Sequence, residues 1–261
     1  MQLGHDDEHQ TLPHPVTAKA TNYPRGETPA HSHPRAQLIY AGSGVMRVDT
    51  EAGCWIVPPV RGVWVPANMT HRVIMLGSVE MRTLYIRPDA APGLPDSCCL
   101  IEVSPLLRAL ILALLEEPLA YDLAGRGGQI AALALNELRF LKIPALHLPM
   151  PSEPRLQRLC QELIANPESR ETLETLAAQQ ATSSRTLARQ FHRETGMSFR
   201  QWRQQARLVE ALGHLANDIP VAQVAEKLGY RSASAFTAMF RRTLGVEPRR
   251  YFSAELAAKG G

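Results

Sequence analysis

The chain is poor in the features that mark secreted and membrane-spanning proteins. Its four cysteines show no CxxC spacing, so we expect free thiols and no disulfide framework. No apolar run reaches the roughly 18 residues that a membrane span needs, because Arg108 interrupts the most apolar stretch, 106–115. The first residues are acidic and lack the apolar segment of a secretory signal. These absences predict a cytoplasmic protein with no membrane partner.

The remaining composition is that of a folding chain whose charge is unevenly distributed. With 261 residues, of which 45% are hydrophobic and 20% charged, the length suits one large domain or two ordinary ones. Residues 1–151 carry 12 Lys and Arg against 14 Asp and Glu, whereas residues 152–261 carry 16 against 11. Of those 16 cations 14 are arginine, whose planar guanidinium matches phosphate oxygens and guanine edges. This imbalance favours a nucleic-acid partner for the C-terminal half, although a solvated basic face has the same composition.

Prolines mark the boundary between the two halves. Pro144, Pro149, Pro151 and Pro154 forbid a continuous helix there and favour an extended, fairly stiff connector. We therefore predict a Pro-rich linker at 144–154.

The C-terminal half contains an internal duplication. An offset of 49 residues pairs Gly196 with Gly245 and Leu187 with Phe236, and further upstream, where Ala177 pairs with Ala225, the offset becomes 48. Each copy is predicted to have a short helix (173–180 or 221–228), a turn and a second helix that a serine caps, Ser183 in the first copy and Ser232 in the second. Two helices joined by such a turn form the helix-turn-helix arrangement. The segment 199–215 predicts one helix of about 24 Å between the copies, which suits major-groove faces ~34 Å apart once the helix widths are added.

The duplicated half carries stretches of text that recur in one known family. They are SSRTLARQFHRETG at 183–196, ARL at 206–208 with Ala211, VAEKLGY at 224–230, SAF at 234–236, FRR at 240–242 and GVEP at 245–248. With these stretches, residues 156–252 resemble the DNA-binding domain of the AraC/XylS family of bacterial transcription regulators. The resemblance implies tandem helix-turn-helix units joined by a linker helix, double-stranded DNA as the partner, and RNA polymerase as a further partner.

Helical phase indicates which residues of the first copy face DNA. Leu187 and Phe191 point inward, which leaves Arg185 and Arg189 on the outer face as base readers, each suited to a bidentate contact with guanine. The flanking residues that we expect to reach phosphates are Ser184, Gln190 and Arg193.

The second copy departs from the family pattern. Ala238 stands where many members of the family have arginine, so we expect weak base reading by this copy. Ser234 and Thr237 are left for short contacts and Arg241 for a phosphate. The sequence therefore predicts two unequal half-sites.

The N-terminal half reads as a barrel of short strands. Between 36 and 86, β-rich runs alternate with turns that contain glycine, proline and asparagine, a spacing typical of a β-sandwich or barrel. The runs are 37–40, 45–48, 54–57, 63–65, 71–75 and 81–86.

This half also carries a spaced set of histidines. The text Gly26-x4-His31-x-His33-x3-Gln37-x6-Gly44, followed by Pro66-x-Asn68-x2-His71, resembles the two motifs of the cupin (RmlC-like) barrel. His31 and His33 are two residues apart and share a face if they lie in a strand, and a later strand brings His71 to them. The resemblance implies a divalent transition metal held by His31, His33, Gln37 and His71. Gln37 stands where cupin enzymes have glutamate, and Asn68 stands where the motif has glycine.

Two alternatives to a metal remain open at this site. In the first, the histidines and Gln37 only hydrogen-bond to one another in the mouth of the barrel. In the second, they hold a small organic effector, with Gln37, Trp64 and His71 as its contacts. Trp55 and Trp64 are otherwise expected in the core or in a pocket wall.

Two apolar stripes follow the barrel. Leu106 to Leu115 and Ile130 to Leu141 predict a pair of helices around a glycine-containing turn at 125–128. The pair resembles the dimerisation helices of the AraC/XylS family, which implies a homodimer. The alternative is an intrachain role in which the helices cover the barrel.

These expectations combine into a multidomain α+β chain. They place a cupin-like sensor barrel at 1–100, a helical connector at 101–143, the linker at 144–154 and an all-α DNA-binding domain with tandem helix-turn-helix units at 155–261. The predicted function is that of a sequence-specific DNA-binding transcription regulator, controlled by a small-molecule or metal effector and not an enzyme. One alternative is a metal-dependent cupin oxygenase or isomerase fused to a DNA-binding domain, and another is a non-sensing DNA-binding module whose barrel serves only for oligomerisation. The neutral Gln37 and the lack of a second carboxylate or a nucleophile constellation favour the regulator.

Overall fold

Strands dominate the N-terminal half of the chain and helices the C-terminal half. The computed structural model describes residues 7–59, 61–141 and 147–251, which divide into two units. The first unit contains the described residues up to Thr50 and those from Trp55 to 141. The second contains Glu51–Cys54 and the described residues from His147 on. None of the helices in these ranges is both long and apolar enough to span a membrane.

The first unit is built on two antiparallel sheets. After a short helix, α1 (Asp7–Thr11), its strands are β1 (Val16–Tyr23), β2 (Gly26–Glu27), β3 (Ala36–Ser43), β4 (Met46–Thr50), β5 (Gly53–Val57), β6 (Arg61–Val65), β7 (His71–Met75), β8 (Val79–Ile86), β9 (Cys99–Glu102) and β10 (Arg139–Leu141). One sheet has the order β1–β8–β3–β6–β9–β10, and the other contains β5–β4–β7–β2. The six predicted β-rich runs correspond to β3–β8. The sequence analysis missed β1, β2, β9 and β10; β2 and β10 are only two and three residues long, too short to show an alternating pattern.

Two helices cover the outer face of the six-stranded sheet. They are α2 (Pro105–Leu115), which Ser104 caps by accepting the N–H of Leu107 (3.1 Å), and α3 (Arg126–Asn136). Leu107, Ile111 and Ala131 of these helices share one buried cluster with Leu38 of β3. Strands β9 and β10 precede and follow the helix pair in the same sheet. The predicted connector at 101–143 therefore packs as part of the first unit in its described residues, and its second helix ends at Asn136 because the chain enters β10 at Arg139.

In its described residues the second unit is helical apart from one short strand and the first two residues of β5. Its elements are β11 (His147–Pro149), α4 (Pro154–Ala165), α5 (Leu173–Gln179), α6 (Ser184–Thr195), α7 (Phe199–Ala216), α8 (Val221–Lys227) and α9 (Ala233–Leu244). The predicted helices at 173–180, 199–215 and 221–228 agree with α5, α7 and α8 to within one residue. The two copies of the repeat are thus α5–α6 and α8–α9, with α7 between them.

The same local geometry recurs in both copies. Ser183 Oγ accepts the N–H of Thr186, and Ser232 Oγ accepts the N–H of Ala235, each at 3.1 Å. Helices α6 and α9 end at Gly196 and Gly245, whose φ angles of 70° and 80° lie in the left-handed region that glycine adopts without a Cβ penalty. Leu187, Phe191, Phe236 and Phe240 are fully buried, in agreement with the predicted helical phase.

The predicted linker is held more firmly than an extended connector would be. Pro144 lies outside the described residues, but Pro149 lies in β11, and its carbonyl accepts the indole N–H of Trp202 from α7 at 2.7 Å. The N–H of Met150 donates to the carbonyl of Ala52 at 3.2 Å. Proline lacks an N–H but keeps its carbonyl, so Pro149 still accepts a hydrogen bond, and the next residue, Met150, supplies a donor.

Candidate functional site

Three histidines come together in the first unit. His31 and His71 exchange both main-chain hydrogen bonds, at 3.0 and 2.9 Å, and His71 is the first residue of β7. The carbonyl of His33 accepts the N–H of Asn68 at 2.8 Å. His31 and His33 do not lie in a strand ladder as predicted, because His31 forms an isolated bridge and β3 begins only at Ala36. Their rings nevertheless meet, with centroids 5.9 Å apart.

The ring nitrogens of His31, His33 and His71 are arranged as in a metal centre. One nitrogen of each ring lies within 4.8 Å of the other two. The Nδ1 atom of each ring faces a main-chain carbonyl, so an Nδ1–H donates there and the Nε2 lone pair is left for a ligand. The accepting carbonyls are those of Pro29 (2.9 Å), Arg35 (2.6 Å) and Met69 (2.9 Å).

Gln37 contacts two of these rings. Its Oε1 lies 3.0 Å from Nε2 of His33 and 2.9 Å from Nε2 of His71. A neutral imidazole has one N–H, so a ring that donates from Nδ1 to a carbonyl needs a donor, and not an acceptor, at Nε2. With its amide NH₂ turned toward the rings, Gln37 satisfies both lone pairs. With its oxygen turned inward, it completes a set of three nitrogens and one oxygen.

Burial keeps the histidines in the form that binds metal. It lowers the pKa of His71 to about 4 and holds the pKa of His33 below its usual value. Both rings are therefore neutral at pH 7, and a neutral ring offers a lone pair without first losing a proton. Two nitrogens at about 2.1 Å from one ion lie at most about 4.2 Å apart, so the present separations are close to a binding arrangement. The donor set fits a divalent transition metal.

Asn68 supports the site in spite of its departure from the cupin motif. Its φ of 60° lies in the left-handed region, which the motif glycine adopts freely and which asparagine tolerates better than most residues. The turn that presents His71 is therefore kept without glycine.

Trp64 does not join Gln37 and His71 as the sequence analysis predicted for an effector site. It pairs with Leu38 in the β3–β6 ladder, whereas Gln37 pairs with Val65, so Trp64 and Gln37 point to opposite faces of the sheet. Trp64 belongs to the cluster under α2 and α3 and lines a separate pocket of about 270 Å³ beside the 87–96 loop.

Two residues beside the site were missed by the sequence analysis. Tyr85 pairs with Gln37 across β3–β8, and its ring lies 5.3 Å from that of His33; the alternation of β8 would have placed it on the inner face. Arg35 is only 2% exposed, and its guanidinium donates to the carbonyls of Gln10, Leu12 and His14. The sequence gives no signal for the burial and contacts of Arg35, because its partners are main-chain atoms more than 20 residues away.

A second group of predicted site residues lies on α6. Arg185, Arg189 and Arg193 are exposed, while Ser184 and Gln190 are half-buried beside them. Arg193 forms an ion pair with Glu194 (3.3 Å). Within the part of the chain that the structure describes, the guanidinium groups of Arg185 and Arg189 have neither an ion-pair nor a hydrogen-bond partner. The outer face of α6 is thus a free cationic surface opposite the buried Leu187 and Phe191.

The outer face of α9 carries less charge. Ser234, Ala238 and Arg241 are exposed and Thr237 is half-buried, so the structure places all four on or beside one surface. Arg241 lies 4.0 Å from Glu247, an exposed pair that contributes little to stability.

Two family models match this chain. The AraC-like ligand binding domain matches residues 13–182, and a helix-turn-helix domain matches residues 176–254. The first covers both sheets and the helix pair, and the second covers most of α5–α9.

Named relatives are similar over different shares of the chain. The HTH-type transcriptional regulator NimR of Escherichia coli (strain K12) is 36% identical over 226 residues, which cover 87% of this chain and 82% of NimR. The HTH-type transcriptional regulator RipA of Corynebacterium glutamicum is 35% identical over 108 residues, 41% of this chain and 33% of RipA. Among solved structures, ToxT from Vibrio cholerae is similar with a TM-score of 0.39 and 10% identity, over 92% of this chain and 98% of ToxT.

Proposed function

Because the chain belongs to the AraC family of transcription regulators, with a ligand-binding domain followed by a helix-turn-helix DNA-binding domain, we propose that α6 reads bases in a major groove through Arg185 and Arg189. The observation that carries the proposal is the geometry of α6. The two arginines are exposed four residues apart, and Leu187 and Phe191 on the other side are fully buried. Each guanidinium is suited to a bidentate contact with guanine, worth about 1–3 kcal/mol against a wrong base.

The residues that flank this face position the protein on the duplex. Ser184, Gln190 and Arg193 reach phosphates beside α6. In the second copy Ser234 and Thr237 make short contacts and Arg241 meets a phosphate. Phosphate contacts set register and affinity, whereas base contacts set sequence preference. The two half-sites therefore contribute unequally to specificity.

In vitro selection from a pool of random DNA duplexes tests this division. The wild type enriches guanines in the half-site that α6 contacts. Arg189→Ala relaxes the preference at one or two of those positions, because one bidentate contact is removed. Arg200→Ala, which removes an exposed arginine from the first turn of α7, is the matched control and leaves the motif unchanged. An unaltered motif in a double Arg185→Ala, Arg189→Ala variant contradicts the proposal.

We further propose that the ligand-binding domain senses its effector at His31, His33, Gln37 and His71, and that a divalent transition metal is a ligand of this site. Three rings whose Nδ1 atoms face carbonyls and whose ligand nitrogens lie together support it, and burial lowers the pKa of His33 and of His71. A bound metal would be held by His31, His33, Gln37 and His71 and would supply a fixed positive centre there. The competing occupant is a small organic molecule that hydrogen-bonds to the Gln37 amide.

Calorimetry on protein dialysed against a chelator tests the metal site. Zn²⁺, Ni²⁺ or Mn²⁺ titrated into the wild type binds with one site per chain, and His71→Ala loses that site. His192→Ala removes an exposed histidine of α6 and is the control for adventitious binding. Equal binding by the wild type and His71→Ala contradicts the assignment.

We propose no catalytic activity for this site. The relatives are transcription regulators, and the oxygen donor is a neutral amide where the cupin motif of enzymes has a carboxylate. We propose RNA polymerase as a further partner and the cytoplasm as the location, because the relatives are transcription regulators and DNA is the partner of this family.

The outer surface of the helix pair supports a homodimer. Leu106 and Leu112 of α2 and Leu133 of α3 are exposed, at 48%, 36% and 43%, while other residues of both helices pack on the sheet. The helices thus serve both roles that the sequence left open: their inner residues cover the barrel, and we assign their outer leucines to the second copy.

A further inference from the structure

The linker helix α7 carries a half-buried arginine whose guanidinium contacts two other segments of the second unit. Arg207 donates from Nε to the carbonyl of Pro167 at 2.7 Å and from a terminal nitrogen to the carbonyl of Ser169 at 3.0 Å. Both carbonyls lie in the loop between α4 and α5. Helix α5 is the first helix of the first helix-turn-helix unit. Burial lowers the pKa of Arg207 from its usual value, so the group is partly desolvated rather than free for a phosphate.

The same guanidinium also contacts the second helix-turn-helix unit. It lies over the ring of Tyr230, 5.8 Å from the ring centroid, within the range of a cation–π interaction. Tyr230 belongs to the turn between α8 and α9, and its ring packs edge-on against Phe236 of the α9 core with centroids 5.4 Å apart. Arg207 therefore joins a loop of the first unit to the turn of the second.

The two segments that Arg207 joins also touch each other directly. Gly229, with φ of 71°, lies so close to the main chain of Glu168 that a Cβ on it would be 2.9 Å from the Glu168 carbonyl oxygen. The units thus share a lateral contact in addition to their covalent link through α7. A lateral contact matters because α7 ends in a short turn at 217–220, and rotation of the main chain in this turn would otherwise move the second unit relative to the first. Asp218 in this turn has a φ of 56°.

We propose that Arg207, together with Tyr230, is a positioning residue that fixes the second helix-turn-helix unit against the first, and so sets the spacing between half-sites that the protein accepts. The inference rests on the proposed function, in which both units contact one duplex. One inserted base pair moves a half-site by about 3.4 Å and turns it by roughly 35°. Units held rigidly cannot follow such a change without losing contacts.

The test measures binding to duplexes of altered spacing. The probe is the sequence that the wild type selects from random DNA, with one or two base pairs inserted between its two enriched blocks. The wild type loses affinity about tenfold or more for one insertion, as for the loss of one specific contact. Arg207→Gln and Tyr230→Leu lose less than about threefold on the same insertion, because the second unit is released. Tyr230→Phe, which keeps the ring, and Arg200→Gln, which removes another arginine of α7, behave as the wild type does.

A duplex that carries only the block bound by α6 separates positioning from folding. Arg207→Gln and Tyr230→Leu bind it with wild-type affinity if each unit remains folded. If Arg207→Gln does not fold, the result for Tyr230→Leu decides the test, because the wild-type ring of Tyr230 makes no hydrogen bond to the described loop of the first unit. The inference is overturned if both variants lose as much affinity on the insertion as the wild type does, or if the wild type itself loses none. Either result leaves the proposed function standing. If the wild type selects no motif, the proposed function and the inference both fail.

Discussion

At the scale of single residues, Gln37 decides what the histidine cluster can hold. Its amide presents either a donor or an acceptor to the lone pairs of His33 and His71. A site of this kind is satisfied without an ion and also offers an oxygen ligand. If the site holds a metal as we propose, a neutral amide ligand would make binding weaker than a carboxylate would, which suits a sensor that must release its ligand.

Replacing Gln37 with glutamate strengthens metal binding. The carboxylate is a stronger ligand than an amide oxygen and places a negative charge beside two neutral imidazoles. We expect affinity for Zn²⁺ or Ni²⁺ to rise by about tenfold or more in Gln37→Glu, measured by calorimetry. Gln129→Glu, an exposed position of α3, controls for charge alone. Unchanged affinity in Gln37→Glu would place the metal elsewhere.

Stability of the metal-free protein depends on pH through His71. Its pKa falls to about 4 in the folded state against 6.5 when unfolded, so the unfolded chain binds the extra proton between these values. Folding free energy is therefore fully retained above pH 6.5 and falls as pH drops to about 4, by up to about 3 kcal/mol from this group. Thermal unfolding in the presence of a chelator measures it. His71→Gln should show a shallower decline between pH 6.5 and 4 than the wild type.

Sequence reasoning placed the cluster of histidines but not its geometry. His31, His33 and His71 were expected together, since motif spacing reports which loops carry the ligands. Trp64 was assigned to the wrong face, because the parity of β6 relative to β3 is set by a ladder between distant residues. Arg35 was invisible because it binds carbonyls, which every residue has.

At the scale of elements, the helices of the second unit were predictable because each carries local signals. Ser183 and Gly196 mark the ends of α6, and the i, i+4 spacing of Leu187 and Phe191 marks its inner face. Helix α3 was predicted too long, since the apolar pattern continues past Asn136 to Leu138, which packs in the same buried cluster just before β10 begins at Arg139. Pattern alone does not distinguish a helix end from a change of element.

One substitution, Ala238→Arg, would make the outer face of α9 more like the arginine-bearing outer face of α6. Ala238 is exposed on the outer face of α9 where the family has arginine, so Ala238→Arg adds a base reader to the second unit. We expect a new guanine preference worth about 1–3 kcal/mol in the second half-site, detected by selection and by binding titrations. Ala222→Arg, an exposed position of α8, tests for added charge alone. A uniform gain of affinity for all sequences in Ala238→Arg would mean that α9 does not lie in a major groove.

Dimerisation depends on the outer face of the helix pair. Leu112→Glu with Leu133→Glu places two charges on that face without touching the inner cluster, and we expect the dimer to dissociate in sedimentation measurements. Leu123 is 56% exposed in the loop between α2 and α3, so Leu123→Glu is the control and stays dimeric. A dimer that survives the double substitution must use another surface.

At the scale of the whole molecule, the two halves follow the predicted order of barrel and helix-turn-helix repeat, but their division is less simple than the sequence suggested. Residues 51–54 belong to the second unit although they lie in the middle of the N-terminal half. The main-chain N–H of Met150 donates a hydrogen bond to the carbonyl of Ala52. Nearly every residue type has these main-chain groups, so the sequence does not reveal the contact. Long-range main-chain contacts of this kind are the part of the fold that periodicity and motif spacing do not predict.

The central claim is that both helix-turn-helix units lie in successive major grooves of one duplex and that α6 supplies most of the base reading. Methylation interference at guanine N7 on the selected DNA tests it most directly, because N7 lies in the major groove. We predict two blocks of interference about 10 base pairs apart, with the stronger block weakened in Arg189→Ala and lost in the double Arg185→Ala, Arg189→Ala variant. A single block, or interference confined to adenine N3 in the minor groove, would contradict the account.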